Sequence, residues 1–202
     1  MGKIPTERTL ILVKPDVIQR QIVGEILSRF ERKGFKIVGM KMVNASKEQI
    51  QDHYTDEESY LIETGEKAKK GAIARGEDVS NWNSLEKGKI IRKNNVVYLT
   101  CGPIIAMVLE GHGVVSGVRK VLGSTSPADG DVGTIRDDYS FDTYALADYV
   151  SRATRTMLHA SDSPENAERE IKIWFKEDEL CNNYETVAEK IFFDSSWDHL
   201  DE

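Results

Sequence analysis

Thr156-Met157-Leu158-His159-Ala160-Ser161-Asp162-Ser163 is the stretch on which the reading of this chain turns. Largely apolar residues lead into a histidine, which predicts a buried strand. The Ser-Asp-Ser run that follows, with Pro164 behind it, predicts the opening of a helix. His159 is therefore expected on a fixed backbone near a helix N-terminus, where free backbone N–H groups and the helix dipole favour anions. A histidine so placed suits contact with a phosphate; the octet alone suits a partly buried structural histidine equally well.

Outward from the octet, the pattern is α+β. Thr9 to Val13 is a continuous apolar run and predicts a buried strand. Ile18, Ile22, Ile26 and Phe30 recur every four residues, the spacing of one helix face, and Gly34 is a natural stop. Phe35 to Val43 and Ile104 to Leu109 read as further strands. Ser46 with Gln49 forms a capping box for another helix. Val114 or Val115, Val118 and Leu122 line a helix that Gly123 ends. Ala167, Ile171 and Phe175 share one face of the helix opened by Pro164. Strands separated by helices allow several arrangements of the sheet, and periodicity does not choose among them.

At 202 residues the chain fits one domain with a sizeable core. No apolar run approaches the roughly 20 residues that cross a bilayer, and the N-terminus lacks a signal-peptide core. Cys101 and Cys181 are the two cysteines and form no CxxC pair, which points to reduced thiols and a cytoplasmic setting. A net charge of -7 argues against a surface that coats nucleic acid. An RNA-binding module of this class would need sheet aromatics and a basic face, and neither is visible.

Several other motifs stand in order. They are Glu7 to Asp16 (ERTLILVKPD), Val23-Gly24-Glu25-Ile26, Arg29 to Phe35, His53-Tyr54 and Cys101-Gly102-Pro103. Ala106 to Gly111, Arg119, Gly123 to Pro127 and Gly133-Thr134-Ile135-Arg136 follow. The octet and Ala167 to Ile171 with Trp174-Phe175 complete the series. Together they closely resemble the nucleoside diphosphate kinases over about residues 6 to 180, interrupted twice. The resemblance implies a ferredoxin-like antiparallel sheet with helices packed over it. It also implies transfer of the γ-phosphate of a nucleoside triphosphate to a nucleoside diphosphate, in two half-reactions through a phosphohistidine.

An imidazole suits that chemistry, because it is largely neutral and nucleophilic near pH 7. By the resemblance His159 is the residue phosphorylated. Glu170, eleven residues on, matches the acid that holds the distal ring nitrogen. Of the other histidines, His53 is expected in a polar helix, His112 in a glycine turn and His199 in an acidic tail. Lys14, Arg119, Thr125 and Arg136 match the cations and hydroxyl that bind phosphates, where charge spreads over oxygens. Each alone would pass for a surface residue. Tyr54 matches the tyrosine near the histidine, and Tyr60 is the candidate to stack on the base. Ser161 and Asp162 match the residues behind the histidine, and helix capping is their structural alternative. Mg²⁺ is implied as cofactor, held mainly by substrate phosphates with Asp162 as the one protein contributor; no all-protein metal site is expected. Nucleoside di- and triphosphates are the implied partners, with assembly into a homo-oligomer and no membrane or specific nucleic acid.

The departures from the family pattern are specific. Thr156 stands where the family has an asparagine that helps bind the ribose hydroxyl; with its shorter hydroxyl that contact is expected to be lost, replaced or carried by water. Ala160 replaces a glycine, Ser126 an asparagine, and Val132 a proline in a loop used for subunit contacts. The chain is expected to form one domain over 1–202, with insertions at about 60–95 and 139–152. Glu66 to Lys93 holds eight basic and four acidic residues, a net charge of +4. That stretch is expected to form a short-helix and loop excursion, its glycines serving as hinges of a substrate-capturing lid or its charge simply solvated. These departures sustain an alternative: a nucleotide-binding regulatory or interaction protein of the same fold with weak or lost transferase activity.

Overall fold

Strand β1 (Glu7–Val13) threads the centre of the protein, and residues 9–13 are buried on both faces. The structure is a computed structural model that describes residues 5–193; His199 lies outside the described residues. After β1 come α1 (Pro15–Gln19), α2 (Val23–Arg32), β2 (Lys36–Val43), α3 (Lys47–His53), α4 (Glu58–Ala74) and α5 (Ser84–Thr100). The chain continues through β3 (Ile104–Gly111), α6 (Val114–Leu122), α7 (Ile135–Tyr139), α8 (Tyr144–Tyr149), β4 (Leu158–Ala160), α9 (Pro164–Trp174) and α10 (Val187–Phe193).

The four strands form an antiparallel sheet in the order β2-β3-β1-β4. This is the ferredoxin-like α+β sheet, with the first and third strands side by side at its centre. Alternation along β1 sends Ile11 and Val13 to one face and Leu10 and Leu12 to the other. On the first face they meet Ile26 and Phe30 of α2 and Val118 and Leu122 of α6. On the second they meet Ile50 of α3, Leu99 of α5, and Ile171 and Trp174 of α9. Helices thus cover both faces, which is why β1 is apolar without interruption.

The capping box at Ser46 and Gln49 forms as the sequence predicts. Gly123 ends α6 with φ 85, a conformation that favours glycine.

Three expectations need correction. The helix read through Ile18 and Phe30 is two helices, broken at Gln21 with φ 59. The four-residue spacing survives because Ile18, Ile22, Ile26 and Phe30 all still pack on one cluster. The strand expected to begin at Thr156 begins at Leu158, because Met157 adopts φ 65. The Leu158 N–H donates to Thr156 O at 2.7 Å around that residue, a tight γ-turn. The 60–95 excursion is two 17-residue helices, α4 and α5, packed on each other. Gly65 and Gly88 are contacts of that pair, not hinges. A Cβ on Gly65 would lie 1.9 Å from Ser84 O, and one on Gly88 would lie 2.0 Å from Leu61 O. The net charge of residues 66–93 is partly offset by acids outside that stretch, Glu63 paired with Lys67 and Asp148 with Lys87.

Candidate active site

His159 is the middle residue of β4, paired opposite Leu12 of β1. Its side chain is 18% exposed, so the ring is seated yet reachable. Nε2 lies 2.8 Å from Glu170 Oε2. Glu170 comes from the buried face of α9, and the same oxygen accepts from the Ser161 hydroxyl at 2.7 Å. Burial pushes the Glu170 carboxyl up, but the charge and hydrogen bond of His159, the nearby His53 and the Ser161 bond outweigh it; the acid falls to about 2. A carboxylate anionic throughout the neutral range favours the ring tautomer with its proton on Nε2. That leaves Nδ1 with the free lone pair.

Ser161 is fully buried and is fixed twice more, through its N–H to Leu10 O and its oxygen to Leu10 N–H. It does not cap α9. That role belongs to Ser163, whose oxygen accepts from the Asn166 N–H. Asp162 does not cap the backbone either; it is exposed and accepts from the Asn166 side-chain amide at 2.7 Å.

Lys14 stands at the end of β1, just before Pro15 starts α1. It is buried, and its ammonium donates to the Thr156 hydroxyl at 2.7 Å. Burial, then the positive charge of Arg136, pull its pKa down to about 7, with Asp16 opposing and Arg155 adding to the fall. Two cations stand over the Tyr98 ring, Lys14 at 4.8 Å and Arg155 at 4.3 Å from its centroid. The Tyr98 hydroxyl donates to Asp16.

Arg136 ties the site together. Its guanidinium donates to the carbonyls of Thr156, Leu158, Gly123 and Ser124. It thereby fixes the turn before His159 and the loop that carries Thr125, which is itself exposed. Burial above all, with Arg119 adding to it, lowers Arg136 to about 10, so it stays cationic at neutral pH. Arg119 is exposed on α6 and shares an open groove of about 490 Å³ with Asp162, Ser163 and Glu7.

Tyr54 is buried at the end of α3, with its ring centroid 6.4 Å from that of His159. Burial, with Tyr60 and Glu170 nearby, raises its pKa, so the phenol stays protonated. Tyr60, on α4, is half-buried and is likewise raised, mainly by burial. Arg92 of α5 donates to the carbonyls of Tyr54 and Thr55 at 2.7 and 3.1 Å, fastening the hairpin to this corner.

The sequence reading missed His53. It is not on a polar surface: it is 2% exposed, with its ring centroid 4.4 Å from that of His159. The available signal was Ile50, an apolar residue three positions earlier on the same helix face. Tyr98 and Arg155 carried no local signal. Among the described residues, His53, His159 and Glu170 form the one cluster of metal-ligating side chains, within 4.8 Å of one another. Trp174 donates to His53 Nδ1, so a neutral His53 carries its proton on Nε2 and offers no lone pair there. The cluster is therefore a poor metal site. No helix among the described residues is long and apolar enough to cross a membrane.

The family model for nucleoside diphosphate kinase matches residues 7–62 and 66–180. A nucleoside diphosphate kinase from Pyrobaculum aerophilum is 46% identical over 181 residues, covering 88% of this chain and 99% of that protein. The crystal structure of an NDP kinase from that organism aligns with a TM-score of 0.82 at 45% identity, over 88% of this chain and all of the other. A nucleoside-diphosphate kinase from Borrelia burgdorferi, solved as a transition-state mimic with bound vanadate and ADP, aligns at 28% identity with a TM-score of 0.76. It covers 95% of this chain and 99% of its own. The order of motifs, the sheet topology and the long matched span agree, and the chain belongs to the nucleoside diphosphate kinase family.

Proposed function

We propose that this protein moves the γ-phosphoryl group from a nucleoside triphosphate to a nucleoside diphosphate, by a ping-pong route through a phosphohistidine at His159. One observation carries the reading: Glu170 holds Nε2 of His159 at 2.8 Å and leaves Nδ1 free. In the first half-reaction the Nδ1 lone pair forms a bond to the γ-phosphorus, and the bond to the β,γ-bridging oxygen breaks. The nucleoside diphosphate leaves with that electron pair. The phosphorylated ring is cationic, and the Glu170 carboxylate offsets the charge as it develops. A second nucleoside diphosphate then attacks the phosphorus and the ring regains its lone pair.

Lys14, Arg119, Arg136 and Thr125 are assigned to the phosphates, and Tyr54 to the wall beside the histidine. Arg136 also orders the site, since it binds carbonyls on both sides of it. Thr156 and Tyr60 are assigned to sugar and base. Mg²⁺ fits here as an ion bound mainly through phosphate oxygens, with exposed Asp162 as the protein contributor beside the Arg119 groove; Glu7, the other carboxylate there, accepts the Val115 N–H. It would neutralise phosphate charge in transit.

The 5–193 fold is assigned to one domain, with the α4–α5 hairpin and the 139–152 segment as insertions. The two touch through Lys87 and Asp148 at 3.1 Å. A cytoplasmic site of action fits two free cysteines. Assembly into a homo-oligomer fits the exposed Met40 and Met42 on edge strand β2 and the exposed Val132.

The test is incubation with γ-labelled ATP and Mg²⁺, followed by assay for acid-labile, base-stable phosphate on the protein and its chase onto added nucleoside diphosphate. His159→Gln should abolish labelling while nucleotide binding and the circular dichroism spectrum persist. Labelling at the native rate in that variant would remove His159 from the mechanism.

A further inference from the structure

Beside His159 lies a second imidazole that the phosphoryl-transfer scheme does not use. His53 ends α3 and packs at an interplanar angle of 84° against His159, edge to face. Its Nδ1 accepts from the indole N–H of Trp174 at 3.4 Å. An indole nitrogen is only ever a donor, so His53 Nδ1 must be unprotonated. A neutral His53 then carries its proton on Nε2. That nitrogen is buried and has no hydrogen-bond partner among the described residues. Nδ1 thus satisfies the buried Trp174 indole, while the neutral ring packs on His159 without adding a charge.

We propose that His53 is a positioning residue for His159: a permanently neutral imidazole, its tautomer fixed by Trp174, that holds the reactive ring in the plane where Glu170 binds Nε2 and Nδ1 faces substrate. The inference rests on His159 being the phosphoryl acceptor. His159 is then held on two sides. Glu170 fixes the ring through a hydrogen bond in its plane, and His53 blocks rotation of the ring by edge-to-face contact. Neutrality matters because the phosphorylated His159 ring is a cation. A protonated His53 at this distance would oppose that charge. Burial above all, then the charge of His159, keeps His53 well below the usual histidine range, against the pull of Glu170 and with Arg169 and Lys14 adding to the fall. Tyr54, at 4.8 Å between ring centroids, stays protonated and adds no charge. Trp174 lies one helical turn beyond Glu170 on α9, so a single helix sets both imidazoles.

The test combines nitrogen-15 NMR of the histidine rings with single-turnover labelling. In the intact protein His53 should show the Nε2–H tautomer from pH 5.5 to 8.5, without titrating. A His53 that titrates in that range, or that is protonated on Nδ1, overturns the proposal with no variant needed. His53→Asn should slow phosphorylation of His159 about tenfold or more and leave the dissociation constant of the nucleotide unchanged. The same variant should let the His159 signal report a mixture of tautomers. His53→Phe keeps the edge contact and should restore most of the rate and the single tautomer. Trp174→Phe should free the His53 tautomer and lower the rate of transfer while ADP still binds. A native rate and a single His159 tautomer in His53→Asn would overturn the proposal. Failure of the intact protein to label at His159 would instead overturn the phosphohistidine reading itself.

Discussion

Lys14 is a buried cation, and its environment predicts a pH signature. Its ammonium sits buried among Arg136 and Arg155, and its pKa falls to about 7 from the usual 10.5. A folded-state pKa below the unfolded value means that folding expels a proton between those limits. The stability penalty is therefore full below pH 7 and is relieved as pH rises toward 10.5. For catalysis the sign is opposite. In its proposed role Lys14 is a phosphate-binding cation that the free enzyme loses above about pH 7, so kcat/KM for nucleoside triphosphate should fall there. Bound phosphates should retain the proton, so kcat should hold to higher pH. Lys14→Arg should move the fall in kcat/KM out of this window; a profile flat from pH 6 to 9 in the native enzyme would contradict the assignment. Thr156 is tied to the same ammonium through its hydroxyl. An asparagine there can accept from Lys14 through its carbonyl and still offer an amide to the sugar. Thr156→Asn is therefore expected to improve kcat/KM for ribonucleotides by about 0.5–1.5 kcal/mol, one hydrogen bond. A decrease would show a site rebuilt around threonine.

At the scale of elements, the α4–α5 hairpin is a rigid wall. Its helices touch at Gly65 and Gly88, where backbone meets backbone with no room for a methyl group. Gly65→Ala must push the helices apart, and the overpacking should cost about 1–3 kcal/mol. Thermal or denaturant melting measures this directly, and an unchanged midpoint would mean that the helices do not pack as described. Because Arg92 fastens α5 to the Tyr54 carbonyl, the loosened hairpin should also raise KM more than it lowers kcat. The turn at Met157 works in the opposite sense. Its left-handed backbone is strained for a side-chain-bearing residue, yet the side chain is wholly buried and its carbonyl accepts the Lys14 N–H. Strain at one residue sets the exit angle that brings Thr156 to Lys14 and His159 to Glu170.

For the whole molecule, the proposed assembly is assigned to the edge of the sheet at β2. The Cys181 N–H donates to Val38 O, so the chain after α9 covers part of that edge. Further along it Met40 and Met42 remain 53% and 59% exposed. Met40→Lys with Met42→Lys should shift sedimentation toward a smaller species, since charges on an edge strand oppose pairing; an unchanged sedimentation coefficient would place the subunit contact elsewhere. The sequence by itself determined the strands at β1 and β3, the caps at Ser46 and Gly123 and the family, because these rest on local periodicity, on turn chemistry or on residues kept in order. It also placed His159, Glu170, Lys14 and Arg136 in one site, through the resemblance. Only the tertiary structure decided that Gln21 breaks a seemingly continuous helix and that Gly65 and Gly88 are contacts. It alone placed Ser161 under Glu170 and His53 against His159. Those facts depend on which surfaces meet across the sheet, and a pattern read along one chain carries no record of residues brought together from α3, β4 and α9.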